Sequence, residues 1–268
     1  MPGQVIADRD GRCTRIRLDR PAASNACTDA MLNQLSRILA ELSLDDATDV
    51  VVLSGAGADF CSGADVGDIT ALLALDAAAR RATFREGMTT LIHPLVLSLL
   101  DLPQVVVAGA RGHAIGLGAA LVLAADVVVL SETARLSVPQ VALGHTTDHG
   151  ESYLLPRKIG TAPALRMVLL GERLSASDAV QAGMAGTVVA DEHLEQSTDD
   201  VVATLLKRSS NSLRGTKHLL GRSLDRDRAA QFEAEVEIVS ACAASGQFVT
   251  AIQSAFGGRT PATPAKGE

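Results

Sequence analysis

Apolar and polar positions alternate along the first two thirds of this chain in a rhythm that predicts strands and helices in turn. Residues 14–18 switch between polar and apolar at every step, the period of a half-buried strand. Thr28 and Asp29 open a helix in which Met31, Leu35, Ile38, Leu39 and Leu42 recur at helical spacing to about Ser43. Residues 49–53 form a second apolar strand, closed by Ser54-Gly55-Ala56-Gly57. A long helix is expected over residues 76–100, kinked or restarted by Pro94 just after His93. Residues 105–108 read as a fully buried strand that runs into a turn carrying Gly109, Gly112, Gly116 and Gly118. From this turn come a short helix, 119–125, and another apolar strand, 127–130. A short polar strand, 135–138, precedes an irregular loop, 140–150, and helices are expected at 152–160, 162–170 and 175–183.

Strands alternating with helices imply an α/β architecture with buried strands. After Glu192 the pattern changes to helices alone, at 194–208, 212–224 and 226–244. Such a tail cannot form a good core by itself, so it should pack on its own domain or on a neighbouring subunit. The expected organisation is therefore an α/β core over 1–192, a helical region over 193–256, and a Gly/Pro/Thr-rich disordered tail over 257–268.

Composition narrows the functional classes. A hydrophobic content of 47% with 21% charged residues is that of a globular protein. A net charge of −7, with no basic run to offset it, argues against a nucleic-acid partner. With one Tyr, five Phe and no Trp, a flat aromatic ligand would find few stacking partners. Cys13, Cys27, Cys61 and Cys242 form no CxxC pair, so neither a zinc site nor a disulfide framework is indicated. The charged first twenty residues exclude a secretory signal, and no apolar run approaches the length of a membrane span. A cytosolic, reduced protein away from membranes is expected.

The glycine-rich turn is the first candidate for chemistry. Glycines let the backbone approach a ligand closely, and a helix start presents N–H groups that the helix itself does not satisfy. Such a turn suits a phosphate or the oxygen of a polarised thioester, but a tight strand-to-helix connection has the same residues. The loop holding His145, Asp148 and His149 is either a solvated loop or a second half of the same site. His93 is read as a helix-end histidine holding a carbonyl or as a base. Asp65 and Asp126 have structural readings, as a helix cap and a turn anchor, and so does His113, as a support of the turn. Cys61 reads as a small buried thiol.

With these pieces placed, the chain resembles the crotonase superfamily, the enoyl-CoA hydratase/isomerase family, over residues 5–256. The carrying segments are RPAASNA (20–26), VVVLSGAGADFCSGADV (50–66), the stretch 105–130, LGHTTDHGESYLLPRKIG (143–160) and GERLSASDAVQAGMA (171–185). The resemblance implies a spiral of ββα units with a C-terminal helical trimerisation region, giving a trimer or a dimer of trimers. It implies an acyl-CoA or acyl-carrier-protein thioester as substrate, coenzyme A entering as part of that substrate, and no other cofactor or metal. The thioester oxygen would sit in an oxyanion hole between the backbone N–H groups of Ala64 and Leu117, with Gly63, Asp65, Gly116, Gln140 and Ala120 around the substrate. Leu117 stands where a glycine is common, and its side chain is expected to narrow the slot.

The sequence departs from the family where hydratases carry their two catalytic glutamates. Those positions hold Ala120 and Gln140, and neither moves a proton at neutral pH. Asp148 resembles instead the proton-shuttling aspartate of dienoyl-CoA isomerases and the nucleophilic one of 4-chlorobenzoyl-CoA dehalogenases. The latter similarity extends to Ser152, Tyr153 and Arg157, and to His93 as the water-activating base, although Gln140 replaces the tryptophan that orients the nucleophile. GHAIG (112–116) and LPRKIG resemble crotonase-like decarboxylases acting on carrier-protein thioesters, but their lysine after the first oxyanion donor is missing, since Asp65 and Val66 follow Ala64. The expected activity is isomerase-like or dehalogenase-like. Asp148 is expected to carry proton transfer or nucleophilic attack, assisted by His93 or His149. The alternatives are a decarboxylase and a non-catalytic thioester-binding homologue.

Overall fold

A computed structural model describes residues 3–256. Strands β1 (Gln4–Asp10), β2 (Cys13–Asp19) and β3 (Val50–Gly55) lie beside β4 (Val105–Ala110), β6 (Val127–Ser131) and β9 (Thr187–Val189) in one six-stranded sheet of order β1-β2-β3-β4-β6-β9. Only β1 runs antiparallel to its neighbour; the other pairings are parallel. A second sheet joins β5 (His113–Ile115), β7 (Arg135–Ser137) and β8 (Leu174–Ser175). This is the α/β architecture that the alternating pattern implies.

Helix α1 (Asp29–Ser43) starts at Thr28, whose side chain accepts the Met31 N–H, and its apolar stripe of Met31, Leu32, Leu35, Leu39 and Leu42 is buried. Two short helices follow, α2 (Val66–Ala71) and α3 (Ala77–Gly87), then α4 (His93–Asp101). The helix expected over 76–100 is interrupted ahead of His93, not after it. A π-turn spans Met88–Ile92, and the His93 N–H bonds back to the Met88 carbonyl. Pro94 has no N–H and its ring crowds the preceding turn, and the wider turn accommodates both.

Every residue of β4 and of α5 (Leu117–Ala124) is buried, so the glycine-rich stretch runs through the middle of the core. Helix α5 begins two residues earlier than expected, and the stretch before it forms β5. Helices α6 (Glu151–Ile159), α7 (Thr161–Leu169) and α8 (Ala176–Gln181) match the three expected after residue 150.

Helix α9 (Leu194–Leu206) buries Leu194, Thr198 and Val202 and packs on β4 and β6. Gly109 makes room for it: a β-carbon there would stand 2.8 Å from Thr198 Oγ1. The chain accordingly separates into compact units at Leu206/Lys207, against the expected change at 192/193. The second unit holds α10 (Ser210–Gly221), α11 (Arg228–Ala243) and α12 (Gly246–Phe256); α12 lies inside the expected helical region, beyond the last of the periodic stretches. Gly215 packs against Ile238, and Phe232, Val236, Val239, Phe248 and Ile252 are exposed. The tail over 257–268 lies outside the described residues. No helix among the described residues is long and apolar enough to cross a membrane.

Candidate active site

Two backbone segments meet at the edge of the core. Cys61 pairs with Ala114, its N–H donating to the His113 carbonyl at 2.8 Å while its own carbonyl accepts from Ile115 at 2.9 Å. Glycine is required at this crossing. A β-carbon on Gly118 would lie 2.1 Å from the Cys61 carbonyl oxygen, and one on Gly112, at φ +55°, would lie 2.2 Å from that of Ala58. Three residues beyond the paired positions stand Ala64 and Leu117. The amides around Ala64 are engaged, since Cys27 donates to Gly63 O at 2.8 Å and Asp65 donates to Cys27 O at 2.9 Å. Ala64 N–H has no acceptor among the described residues, nor has Leu117 N–H at the first position of α5. Ala64 is partly exposed. Leu117 has no exposed surface and its side chain belongs to the apolar core, so it narrows no open slot.

Gln140, Asp148, His149 and Glu151 converge beside this turn. The His149 ring, 7% exposed, brings Nδ1 to 2.9 Å from Asp148 Oδ1 and 3.2 Å from Glu151 Oε1. Gln140 Nε2 reaches Asp148 Oδ1 at 3.1 Å, His149 Nδ1 at 3.2 Å and Glu151 Oε1 at 2.7 Å. Gly150, at φ +86°, reverses the chain so that Glu151 folds back under the loop, where its Oε2 accepts the His149 N–H at 2.8 Å. Burial alone would lower the His149 pKa, but the hydrogen bonds and charges of Asp148 and Glu151 raise it to about 9. Burial likewise opposes ionisation of Asp148, yet the His149 bond and charge, the Gln140 amide and His145 hold its carboxyl below the usual range. The cluster adjoins the glycine-rich turn through Gly116, since a β-carbon there would lie 3.8 Å from Gln140 Nε2. A hollow of about 350 Å³ opens alongside, lined by Ile115, Ser137, Val138, Pro139, Ala142 and Arg173.

The other expected residues have the following surroundings. His93 is exposed and its Nε2 lies 2.9 Å from the Asp148 backbone carbonyl, so it supports the loop and does not touch the carboxylate. Asp65 caps α2 through Gly67 N–H at 2.7 Å and pairs with Arg20, which keeps its carboxyl below the usual range. Asp126 anchors β4 through the Val106 N–H, and His113 is held by Asp59. Ala120 is fully buried in α5. Cys61 is a buried thiol 3.8 Å from that of Cys27. The Arg157 guanidinium stacks on Tyr153, 3.5 Å from the ring centre.

Glu151 is the site residue that sequence reasoning missed. An acid in the first turn of a helix is commonplace, and only the Gly150 reversal turns this one inward.

Residues 9–256 match the family described as Enoyl-CoA hydratase/isomerase. A probable enoyl-CoA hydratase of Mycobacterium bovis is 34% identical over 224 residues, covering 83% of this chain and 77% of that one. The 1,2-epoxyphenylacetyl-CoA isomerase of Escherichia coli K12 is 29% identical over 246 residues, 92% of each chain. A Thermobifida fusca structure solved in complex with CoA superposes with a TM-score of 0.79 at 31% identity, covering 90% of this chain and 93% of that one.

Proposed function

The chain belongs to the enoyl-CoA hydratase/isomerase family, and on that premise we propose that it is an acyl-CoA isomerase in which Asp148 moves the proton. The observation that carries this reading is the Asp148 carboxylate. It is ionised beside a buried imidazole and adjoins the turn that presents Leu117 N–H, while positions 120 and 140 hold an alanine and an amide. The thioester oxygen accepts from Ala64 and Leu117. Removing a proton from the carbon next to the thioester then leaves an enolate whose charge rests on those two donors. Asp148, now carrying the proton, returns it to another carbon of the acyl group, and the double bond has moved. Hydration would need a second proton-moving group beside the water, and neither Ala120 nor Gln140 supplies one.

Leu117 is covered, so substrate must displace what lies over its N–H before the second donor is engaged. Attack by Asp148 as a nucleophile is the second reading; the poverty in aromatics and the stacking of Arg157 on Tyr153 count against a benzoyl pocket. The exposed apolar residues of α11 and α12 fit burial against further copies, as a trimer or dimer of trimers. Four free thiols, two of them 3.8 Å apart, suit the reducing cytoplasm.

The test is Asp148→Ala against a panel of enoyl-, dienoyl- and epoxyacyl-CoA thioesters. Turnover should vanish while CoA-thioester binding stays within a few-fold. Turnover surviving the substitution would remove Asp148 from the chemistry, and a panel without any turnover would favour a thioester-binding homologue.

A further inference from the structure

Four side-chain atoms of the buried cluster are joined by five contacts of 3.2 Å or less: Gln140 Nε2 to Asp148 Oδ1, His149 Nδ1 and Glu151 Oε1, and His149 Nδ1 to both carboxylates. At most three hydrogens are available to fill them, two on Nε2 and one on Nδ1. With Nδ1 protonated, moreover, the Gln140–His149 contact sets two donors face to face. The other end of the same amide has the opposite fault. Gln140 is 3% exposed, and its Oε1 is buried with no hydrogen-bond partner.

One rearrangement relieves the crowding at Nε2 and gives Oε1 a partner. A cation at the centre takes the place of the Nδ1 proton, and the Gln140 amide turns half a revolution about its last torsion. Oε1 then points inward as a ligand and Nε2 leaves the carboxylates. We propose that Gln140, Asp148, His149 and Glu151 form a binding site for one divalent first-row metal ion, with zinc as the ion that fits best. One imidazole and three oxygens are a donor set that zinc accepts in fourfold coordination. Two carboxylates balance the charge of the ion. Five of the six edges, at 2.7 to 3.2 Å, are shorter than the ~3.4 Å edge of a tetrahedron with zinc–ligand bonds of about 2.0–2.1 Å, so those ligands move apart by roughly 0.2–0.7 Å. The side chain of Asp148 is 14% exposed against 8% for His149 and none for Glu151, and the ion enters past it. Asp148 ligates through Oδ1, which leaves Oδ2 for the proton transfer proposed above. The site shares that residue but does not depend on the reaction.

The experiment uses the untagged chain, stripped with a chelator and titrated with zinc by calorimetry. One ion per chain should bind at micromolar affinity or tighter. His149→Ala and Glu151→Gln should each weaken it about 100-fold or more. Cobalt(II) on the stripped wild-type chain should show the visible bands of a four-coordinate site without a thiolate charge-transfer band. No binding by the wild-type chain, unchanged binding by both variants, or a thiolate band would each overturn the site. If the variants fail to fold, the cobalt spectrum and the presence or absence of a zinc-dependent rise in wild-type melting temperature decide the matter. Turnover by a chain that binds no zinc would sink the metal and leave the isomerase standing. Zinc binding without any turnover would do the reverse.

Discussion

His149 and Glu151 grip one another twice: the imidazole Nδ1 lies 3.2 Å from Glu151 Oε1, and the His149 amide donates to Oε2 at 2.8 Å. One buried carboxylate thus fixes both the backbone and the ring of the residue beside Asp148. The ring cannot turn away from Asp148 without leaving a fully buried charge unpaired, and this costs far more than an exposed pair would.

Removing that carboxylate should therefore loosen the loop before it touches the chemistry. Glu151→Gln is expected to destabilise the fold by about 1–3 kcal/mol, since His149 keeps Asp148 as a partner but loses its second acid. Urea denaturation at neutral pH reads the loss directly. A change within a few tenths of a kcal/mol would show that Glu151 does not hold the loop.

The His149 pKa predicts how stability follows pH in chelated, metal-free protein. The folded value, about 9, lies above the unfolded value of 6.5. The imidazolium therefore binds its proton more tightly when folded. Its stabilisation is fully present below pH 6.5 and is lost as pH rises through about 9. At about 1.4 kcal/mol per pKa unit, the interaction is on the order of 3 kcal/mol, seen equally from the Asp148 end of the pair. The urea midpoint of the wild-type chain should fall between neutral pH and about pH 10. That of His149→Gln should fall much less, and parallel curves for the two would refute the assignment.

His93 touches Asp148 only at its backbone carbonyl. His93→Ala should lower kcat by roughly tenfold or less and cost about 1 kcal/mol of stability, the weight of one exposed hydrogen bond to a loop. A loss of about a thousandfold or more would restore His93 to the catalytic machinery.

Gly118 is the tightest point of the glycine-rich turn. Gly118→Ala drives a β-carbon to 2.1 Å from the Cys61 carbonyl oxygen, a backbone atom that cannot swing aside. The substitution should separate the segments carrying Ala64 and Leu117. The expected result is loss of turnover and a destabilisation of about 2 kcal/mol or more, checked by activity and thermal melting. Wild-type activity in a folded variant would show that the two segments need not touch.

Periodicity alone determined most of the architecture, because burial of one face imposes its period wherever an element is long. Helix α1, strands β2, β3, β4 and β6, and the helical tail were all legible in this way. The assignment of Ala120 and Gln140 to glutamate positions, and the weight on Asp148, rest on the resemblance to the crotonase family and not on periodicity. Strand β1 was not legible, because its residues are mostly exposed and its order comes from pairing with β2. The helix breaks ahead of His93 and not after it for a local reason: the missing N–H of Pro94 is felt by the preceding turn.

What only the tertiary structure decided is which polar groups share a buried space. Gln140 and Glu151 are eleven positions apart and carry no joint signal in the chain, yet their side chains meet at 2.7 Å. The left-handed turn at Gly150 brings them together, and exclusion of water makes the meeting matter, because charges that would be screened at the surface must find partners inside.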